Sequence, residues 1–167
     1  SGVKFDAHYN LTTIDPPELV RFIRKQYPDV KWERPKVNFY KRMETRGVPT
    51  RTVRWCCQEY KEGGGVGRVV LTGIRAEESS RRAKRKTVEA CQNRKSKVMV
   101  HPILNWTEQD VWQFIRTNKL PYCSLYDEGW KRIGCVPCPF ESNTKRAMAR
   151  WPRIFELCRK AIQKRWI

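Results

Sequence analysis

Two pairs of cysteines carry the clearest chemical signal in the chain. Cys56 and Cys57 are adjacent, and Cys135 and Cys138 frame a C-x-x-C followed by proline, in Gly134-Cys135-Val136-Pro137-Cys138-Pro139. Four thiolates in two tight pairs are what a metal ion or an iron–sulfur cluster takes, and a C-x-x-C sets two sulfurs on one small loop. The 77 residues from 58 to 134 separate the pairs, so the fold must bring them together. Seven cysteines, an odd number, suit ligation in a reducing compartment better than a disulfide framework. Neighbouring cysteines also pair with each other only under strain. Cys91 and Cys158 read as ordinary buried or helical thiols. Cys123 lies close to the C-x-x-C and stands open as a spare or substitute ligand. Zinc and iron–sulfur both accept four thiolates, so ligand type alone leaves the two open. The adjacent ligands and Pro139 favour the cluster.

A second candidate is the arginine-rich stretch Arg75-Ala76-Glu77-Glu78-Ser79-Ser80-Arg81-Arg82. It follows Arg68 to Ile74, a β-branched run that reads as a buried strand. Loops after parallel strands are where α/β proteins bind ligands. Arginines there grip phosphate or sulfate through paired hydrogen bonds, and Ser79 and Ser80 can donate to the same anion. The run Gly63-Gly64-Gly65-Val66-Gly67 is not read as a phosphate loop. Such a loop follows a strand and opens a helix, and this one precedes a strand, so it is taken as a flexible surface turn. His8 and His101, the only histidines, read as packed residues in or near strands. The chain contains neither a G-x-S-x-G elbow nor an H-E-x-x-H.

The elements that position these residues follow from pattern. Val3 to Tyr9 alternates as a strand. Asp15 reads as an N-cap, with Pro16 at the first helical position, and Leu19, Val20, Phe22 and Ile23 form an apolar face up to Tyr27. Pro28 to Trp32 is short and extended. Phe39 to Arg46 reads as a helix stopped by Gly47 and Pro49, and Arg51 to Lys61 holds the first cysteine pair at the start of a short helix. Ser79 to Asn93 is partly helical, and Val98 to Leu104 is a further strand. Thr107 and Asp110 form a capping-box-like start for a helix running to Asn118. Pro121 to Pro139 is an irregular loop, and Asn143 to Trp166 is a basic amphipathic helix kinked or restarted at Pro152. Strands alternating with helices predict an α/β fold with a mostly parallel sheet.

The chain has 167 residues, 40% of them hydrophobic, with seven tryptophans, enough for one cored domain with a helical appendage. No apolar run approaches the roughly 20 residues of a membrane span, and no signal-peptide pattern opens the chain. These features point to the cytoplasm. The net charge is +18. Residues 75–97 contribute +6 and residues 145–165 contribute +7. Such fields attract anionic partners: nucleic acid, nucleotides, sulfate or phosphate groups.

The motifs together resemble a known family. Thr72-Gly73-Ile74-Arg75-Ala76-Glu77-Glu78-Ser79-Ser80-Arg81-Arg82 is similar to the T-G-x-R-x-x-x-S-x-x-R segment of phosphoadenosine phosphosulfate (PAPS) reductase-like proteins. Pro102-Ile103-Leu104-Asn105-Trp106-Thr107, with Asp110-Val111-Trp112, resembles that family's P-I-x-x-W-T-x-x-D-V-W segment. The cysteine pairs resemble the cluster ligands of its iron–sulfur branch, which includes adenylylsulfate reductases. The resemblance spans about residues 3 to 140.

It implies an adenine nucleotide alpha-hydrolase-like fold with a PAPS-reductase-like domain over residues 1–142 and a basic C-terminal helical appendage over residues 143–167. It implies a [4Fe-4S] cluster on Cys56, Cys57, Cys135 and Cys138, with zinc as the alternative. It places Arg75, Arg81 and Arg82, with Ser79, at the anionic end of an adenylyl sulfate or ATP-like ligand, and Thr12 to Asp15 beside the nucleotide.

Two departures accompany the match. The family's pyrophosphate (PP) loop, S-G-G-x-D-S, precedes the segment that begins here at Val3 and is not in this chain, and Ser1-Gly2 reads as a scar or a truncation joint. The reductases also use a cysteine in a C-terminal tail, whereas this chain ends Gln163-Lys164-Arg165-Trp166-Ile167. Turnover by this chain alone is therefore left open; with the loop supplied by a missing N-terminal segment, the resemblance implies a sulfonucleotide reductase or a PP-loop sulfur-transfer enzyme. The implied function is binding of an adenine nucleotide or sulfonucleotide for sulfur transfer or activation. The competing class is a non-enzymatic, metal-stapled module that binds nucleic acid or a ribonucleoprotein through its basic faces.

Overall fold

The Pro16-Pro17 pair decides where the first helix begins. A residue before proline is pushed out of the helical region. Pro16 accordingly sits at φ −54°, ψ 130° as the N-cap, and helix α1 runs Pro17–Gln26. This corrects the expectation for Asp15. Its carboxylate accepts from the Thr12 N–H at 2.7 Å and the Tyr9 hydroxyl at 3.0 Å and caps nothing. Strand β1 covers His8–Asn10 only; Val3 and Phe5 lie exposed, with no strand paired to them among the described residues.

The computed structural model describes residues 2–90, 96–141 and 143–166. Ser1, Cys91 and the end of the stretch read as partly helical to Asn93 lie outside them. The chain forms two compact units. The first joins residues 1–62 to residues 122–167, and the second is residues 63–121. Residues 143–166, read as an appendage, lie within the first unit.

In the first unit β1 pairs in parallel with β2 (Lys31–Glu33), with Tyr9 opposite Trp32. Helix α2 spans Phe39–Arg46 as its sequence predicts. The Asn38 side chain accepts from the Lys41 N–H, and Gly47 ends the helix at φ 78°, a conformation glycine adopts freely. Helix α3 (Trp55–Tyr60) follows. The basic C-terminal stretch divides into α6 (Thr144–Arg150) and α7 (Pro152–Trp166), since Pro152 cannot continue the first helix but suits the start of the second.

Two apolar clusters hold this unit. One gathers Ile14, Phe39, Met43, Trp55, Tyr60, Cys158 and Ala161, with α2 packed on α7. The Phe39 and Trp55 rings stack at 5.2 Å. The other gathers Cys123, Leu125, Trp130, Val136, Ala147 and Trp151. Cys123, open in the sequence as a spare ligand, is a buried member of this second cluster. Cys158 is buried as expected.

In the second unit β3 (Val69–Leu71) pairs in parallel with β5 (Val98–Val100), which pairs antiparallel with β4 (Val88–Ala90). Short α4 (Ser80–Ala83) and longer α5 (Glu108–Thr117) complete it. The reading of β3 as buried is corrected: Val69 is 64% and Leu71 61% exposed. The β-branched run specifies a strand, but not that both faces are covered. The Thr107–Asp110 capping box forms as expected, each residue accepting from the other's backbone N–H.

The Gly63–Gly67 turn precedes β3. Gly65 lies at φ 74°, where an added Cβ would meet Val70 Cγ2 at 2.5 Å. Buried Lys97 donates to the Gly64 carbonyl at 2.8 Å, so the turn is held in place.

Candidate functional site

Trp55 and Tyr60 are the buried residues of α3, and their rings pack on Phe39 and on each other. Anchored this way, the helix leaves Cys56 and Cys57 half-buried in its first turn. The second pair sits on a loop fastened to the same unit. The Val136 N–H donates to the Ile14 carbonyl at 2.7 Å, and Val136 itself is buried. Arg51 Nε donates to the Pro139 carbonyl at 3.0 Å, and the Arg54 guanidinium lies 4.9 Å over the Phe140 ring.

The thiols share one electrostatic neighbourhood. The Cys57 thiol is held below its ordinary range, first by a hydrogen bond from Cys56 and then, against the opposing effect of burial, by Arg54, whose Nη2 lies 3.2 Å from Cys57 Sγ. Cys56 is raised, first by that shared bond, then by burial and by the charges of Cys57 and Cys135. Cys135 Sγ donates to the buried Thr12 hydroxyl at 3.4 Å. Lys61 stands beside Cys135. Desolvation works against its charge, but Cys135, Cys57 and Asp15 together hold the ammonium above its ordinary range. Cys138 is half-buried on the same loop as Cys135, and the two border a largely apolar cavity of about 240 Å³ that also touches Phe39, Trp130 and Trp151.

Thr12 and Asp15, read from sequence as nucleotide-side residues, therefore stand beside the cysteine site. Between them Thr13 has φ 65°, a costly conformation for a β-branched residue. It is held there by its hydroxyl, which accepts from the Phe39 N–H at 2.9 Å, and by the Ile14–Val136 bond. Arg54 and Lys61 carry no signal as motifs. Their spacing does: three residues before Cys57 and one helical turn after it put both next to the thiols.

Do these residues fit a cluster? Among the described residues no three Cys, His, Asp or Glu side chains converge as ligands of one metal ion. The donor chemistry does suit an iron–sulfur group. The donors are soft sulfurs, half-buried, with Arg54 and Lys61 to offset negative charge. The Arg54 Nε and Trp55 Nε1 donors, on the two residues before Cys56, are buried without a hydrogen-bond partner among the described residues. Hydrogen bonds to cluster sulfurs are one of the ways a protein tunes such a group.

The anion candidates lie in the second unit. Arg75 pairs with Glu77, and Arg82 pairs with Glu78. Arg81 is exposed with no carboxylate partner among the described residues. The Ser79 hydroxyl caps α4 by accepting from the Arg82 N–H at 3.2 Å. Glu77 Oε1 also accepts from the Glu108 N–H at 2.7 Å, and the Ala76 N–H donates to the Leu104 carbonyl. The arginine loop and the start of α5 are thus one construction. His101 is fully buried, as expected, whereas His8 is exposed and bonded to Glu33. A neighbouring strand at β1 would be needed to bury it.

Along α6 and α7 much of the basic field is internally engaged. Arg146 donates to the Glu128 and Gly129 carbonyls, Arg150 pairs with Glu18 and Glu128, and Lys160 pairs with Glu156. Lys164 pairs with Glu44, while Arg165 donates to the Glu44 and Thr45 carbonyls. No helix is long and apolar enough to cross a membrane among the described residues.

Parallel strand pairs with flanking helices define an α/β protein. Residues 7–141 match the phosphoadenosine phosphosulfate reductase domain, and the chain belongs to that family. It is 31% identical over 162 residues to the adenosine 5'-phosphosulfate reductase of Staphylococcus epidermidis, covering 87% of this chain and 63% of that protein. It is 34% identical over 127 residues to an uncharacterized protein of Methanocaldococcus jannaschii, covering 71% of this chain and 31% of that one. The chain thus spans less than two thirds of the length of either relative. A crystal structure of phosphoadenylyl-sulfate reductase from Candida auris, a phosphate complex, matches with a TM-score of 0.57 at 22% identity. That match covers 80% of this chain and 70% of that one, and it carries the fold, an adenine nucleotide alpha-hydrolase-like α/β class.

Proposed function

We propose that this chain is the cluster-bearing, sulfonucleotide-binding part of a reductase-type protein of sulfur metabolism. The observation that carries the reading is the meeting of Cys56, Cys57 and Cys135 in one neighbourhood with Arg54 and Lys61. Cys56, Cys57, Cys135 and Cys138 would hold a [4Fe-4S] cluster. When bound, such a group supplies a redox-capable centre, a local field and a staple between two distant segments. The chain's own residues do the rest. Arg54 favours the Cys57 thiolate, Lys61 sets a positive charge beside Cys135, Thr12 and Asp15 brace the Cys135 side, and Arg75, Arg81, Arg82 and Ser79 meet the anionic end of an adenine nucleotide or sulfonucleotide. The compartment is the cytoplasm, where thiols stay reduced.

A second reading, a nucleic-acid-binding module, draws support from Lys145, Arg153 and Arg159, which lack a carboxylate within ion-pair distance among the described residues. Purification without oxygen, a visible spectrum, and assays of iron, sulfide and zinc on one sample test the first reading. A brown protein with iron and acid-labile sulfide is expected, stabilised by adenosine 5'-phosphosulfate in wild type and not in Arg75→Ala. A colourless protein with zinc removes the cluster. Binding only to RNA or DNA, weakening steeply with salt, favours the module.

A further inference from the structure

The second unit holds a side-chain chain that its proposed anion loop does not use. Thr72 Oγ1 lies 2.5 Å from His101 Nδ1, and His101 Nε2 lies 3.2 Å from Glu89 Oε1. Glu89 lies in β4, and Thr72 and His101 come immediately after β3 and β5. Register puts them on one face: Val70 and Glu89 both oppose Met99, and Thr72 and His101 lie two residues beyond Val70 and Met99. The opposite face carries Val69, Leu71, Val88 and Val98, all exposed. Thr72 and His101 directly follow the parallel strands β3 and β5, at the carboxyl ends where α/β sheets take ligands. Thr72 is also three residues before Arg75.

Hydrogen-bond logic fixes the polarity of the chain. Burial alone would raise the Glu89 carboxyl, but the bonds from His101 and the Lys86 N–H, with the Arg85 charge, hold it below its ordinary range. An ionised carboxylate only accepts, so the His101 proton sits on Nε2. In the neutral imidazole with its proton on Nε2, Nδ1 is bare and accepts from the Thr72 O–H. The threonine oxygen is left with its lone pairs and no proton to give.

We propose that Thr72 is a ligand-binding residue whose hydroxyl is held as a hydrogen-bond acceptor for an O–H or N–H donor of a bound nucleoside, with His101 and Glu89 as positioning residues behind it. The inference rests on the nucleotide reading above and names the group that would read the nucleoside rather than its anionic end. His101 is fully buried, in a unit whose only buried large hydrophobic among the described residues is Leu104, so the same network also braces the strands that present Thr72.

The test is calorimetric titration of the full, cluster-loaded chain with AMP, 2′-deoxy-AMP, 3′-deoxy-AMP and purine riboside 5′-monophosphate, which lacks the exocyclic amine. Wild type, Thr72→Val and Thr72→Ser are compared. Thr72→Val is expected to weaken AMP about tenfold while leaving unchanged the one analogue that lacks the recognised donor. That analogue identifies the donor as a ribose hydroxyl or the amine. Thr72→Ser restores AMP binding. If Thr72→Val binds all four ligands as wild type does, or loses all four equally, the inference is overturned. A wild-type protein that holds iron and sulfide but binds none of the four removes the nucleotide reading, and this inference with it.

Discussion

In residues 1–62 with 122–167, Phe39, Met43, Trp55, Tyr60, Leu125, Trp130 and Trp151 are buried in two apolar clusters. In residues 63–121 the buried side chains among the described residues are Leu104, Lys97 and His101, and the last two work through hydrogen bonds. The first unit is held by hydrophobic burial around its thiols. The second is held by polar bonds: His101 across three strands, Lys97 on the glycine turn, and Glu77 from the arginine loop to α5. A net hydrogen bond contributes about 1 kcal/mol and a fully buried aromatic several times that. The arginine loop proposed to meet an anion thus stands on the less firmly packed unit, as segments that must adjust to a ligand commonly do.

Four substitutions break or sharpen this contrast, with hydrogen exchange reading each unit separately. Trp55→Ala, at 4% exposure, is expected to cost about 3–5 kcal/mol. Protection should fall across α2, α3 and α7. His101→Ala strands Thr72 and Glu89 and is expected to cost about 1–3 kcal/mol, with protection lost at β3, β4 and β5. If His101→Ala leaves those strands unchanged, the polar account of the second unit fails.

Asp110 gives a smaller, pH-dependent effect. The Thr107 N–H and hydroxyl hold its carboxyl below the ordinary range. A carboxyl lowered on folding adds stability above its unfolded pKa of about 4 and loses that contribution as pH falls through the lower folded value. Urea midpoints of wild type and Asp110→Asn should therefore differ at pH 6 and converge below about pH 4. Smallest of all, Leu71→Thr sits on the exposed face of β3 and should shift stability within about 0.5 kcal/mol. A larger loss would mean that this face is covered in solution.

What the sequence made legible was local. The stretch from Phe39 to Arg46, stopped by Gly47, marks α2 to the residue, and Thr107 with Asp110 mark the start of α5. Cysteine type and spacing marked the sulfur site. Long-range detail was not legible. Asp15 has the identity of a cap, yet Pro17 moved the helix start and freed its carboxylate for Tyr9 and Thr12. The valines of β3 encode extended backbone, but not which faces find partners. Arg54 and Lys61 look like any other cations in a chain of net charge +18 until the fold delivers Cys135 beside them.

The first unit is assembled from two stretches of chain with the second unit looped out between them. Order of synthesis therefore matters. Cys56 and Cys57 leave the ribosome before any of the 77 residues that precede Cys135, and at about 5–20 residues per second that is roughly 4–15 s. The second unit, whose residues are contiguous, has all its partners in hand during that interval. The first does not, and its paired thiols spend those seconds open to oxidants before Cys135 can join them.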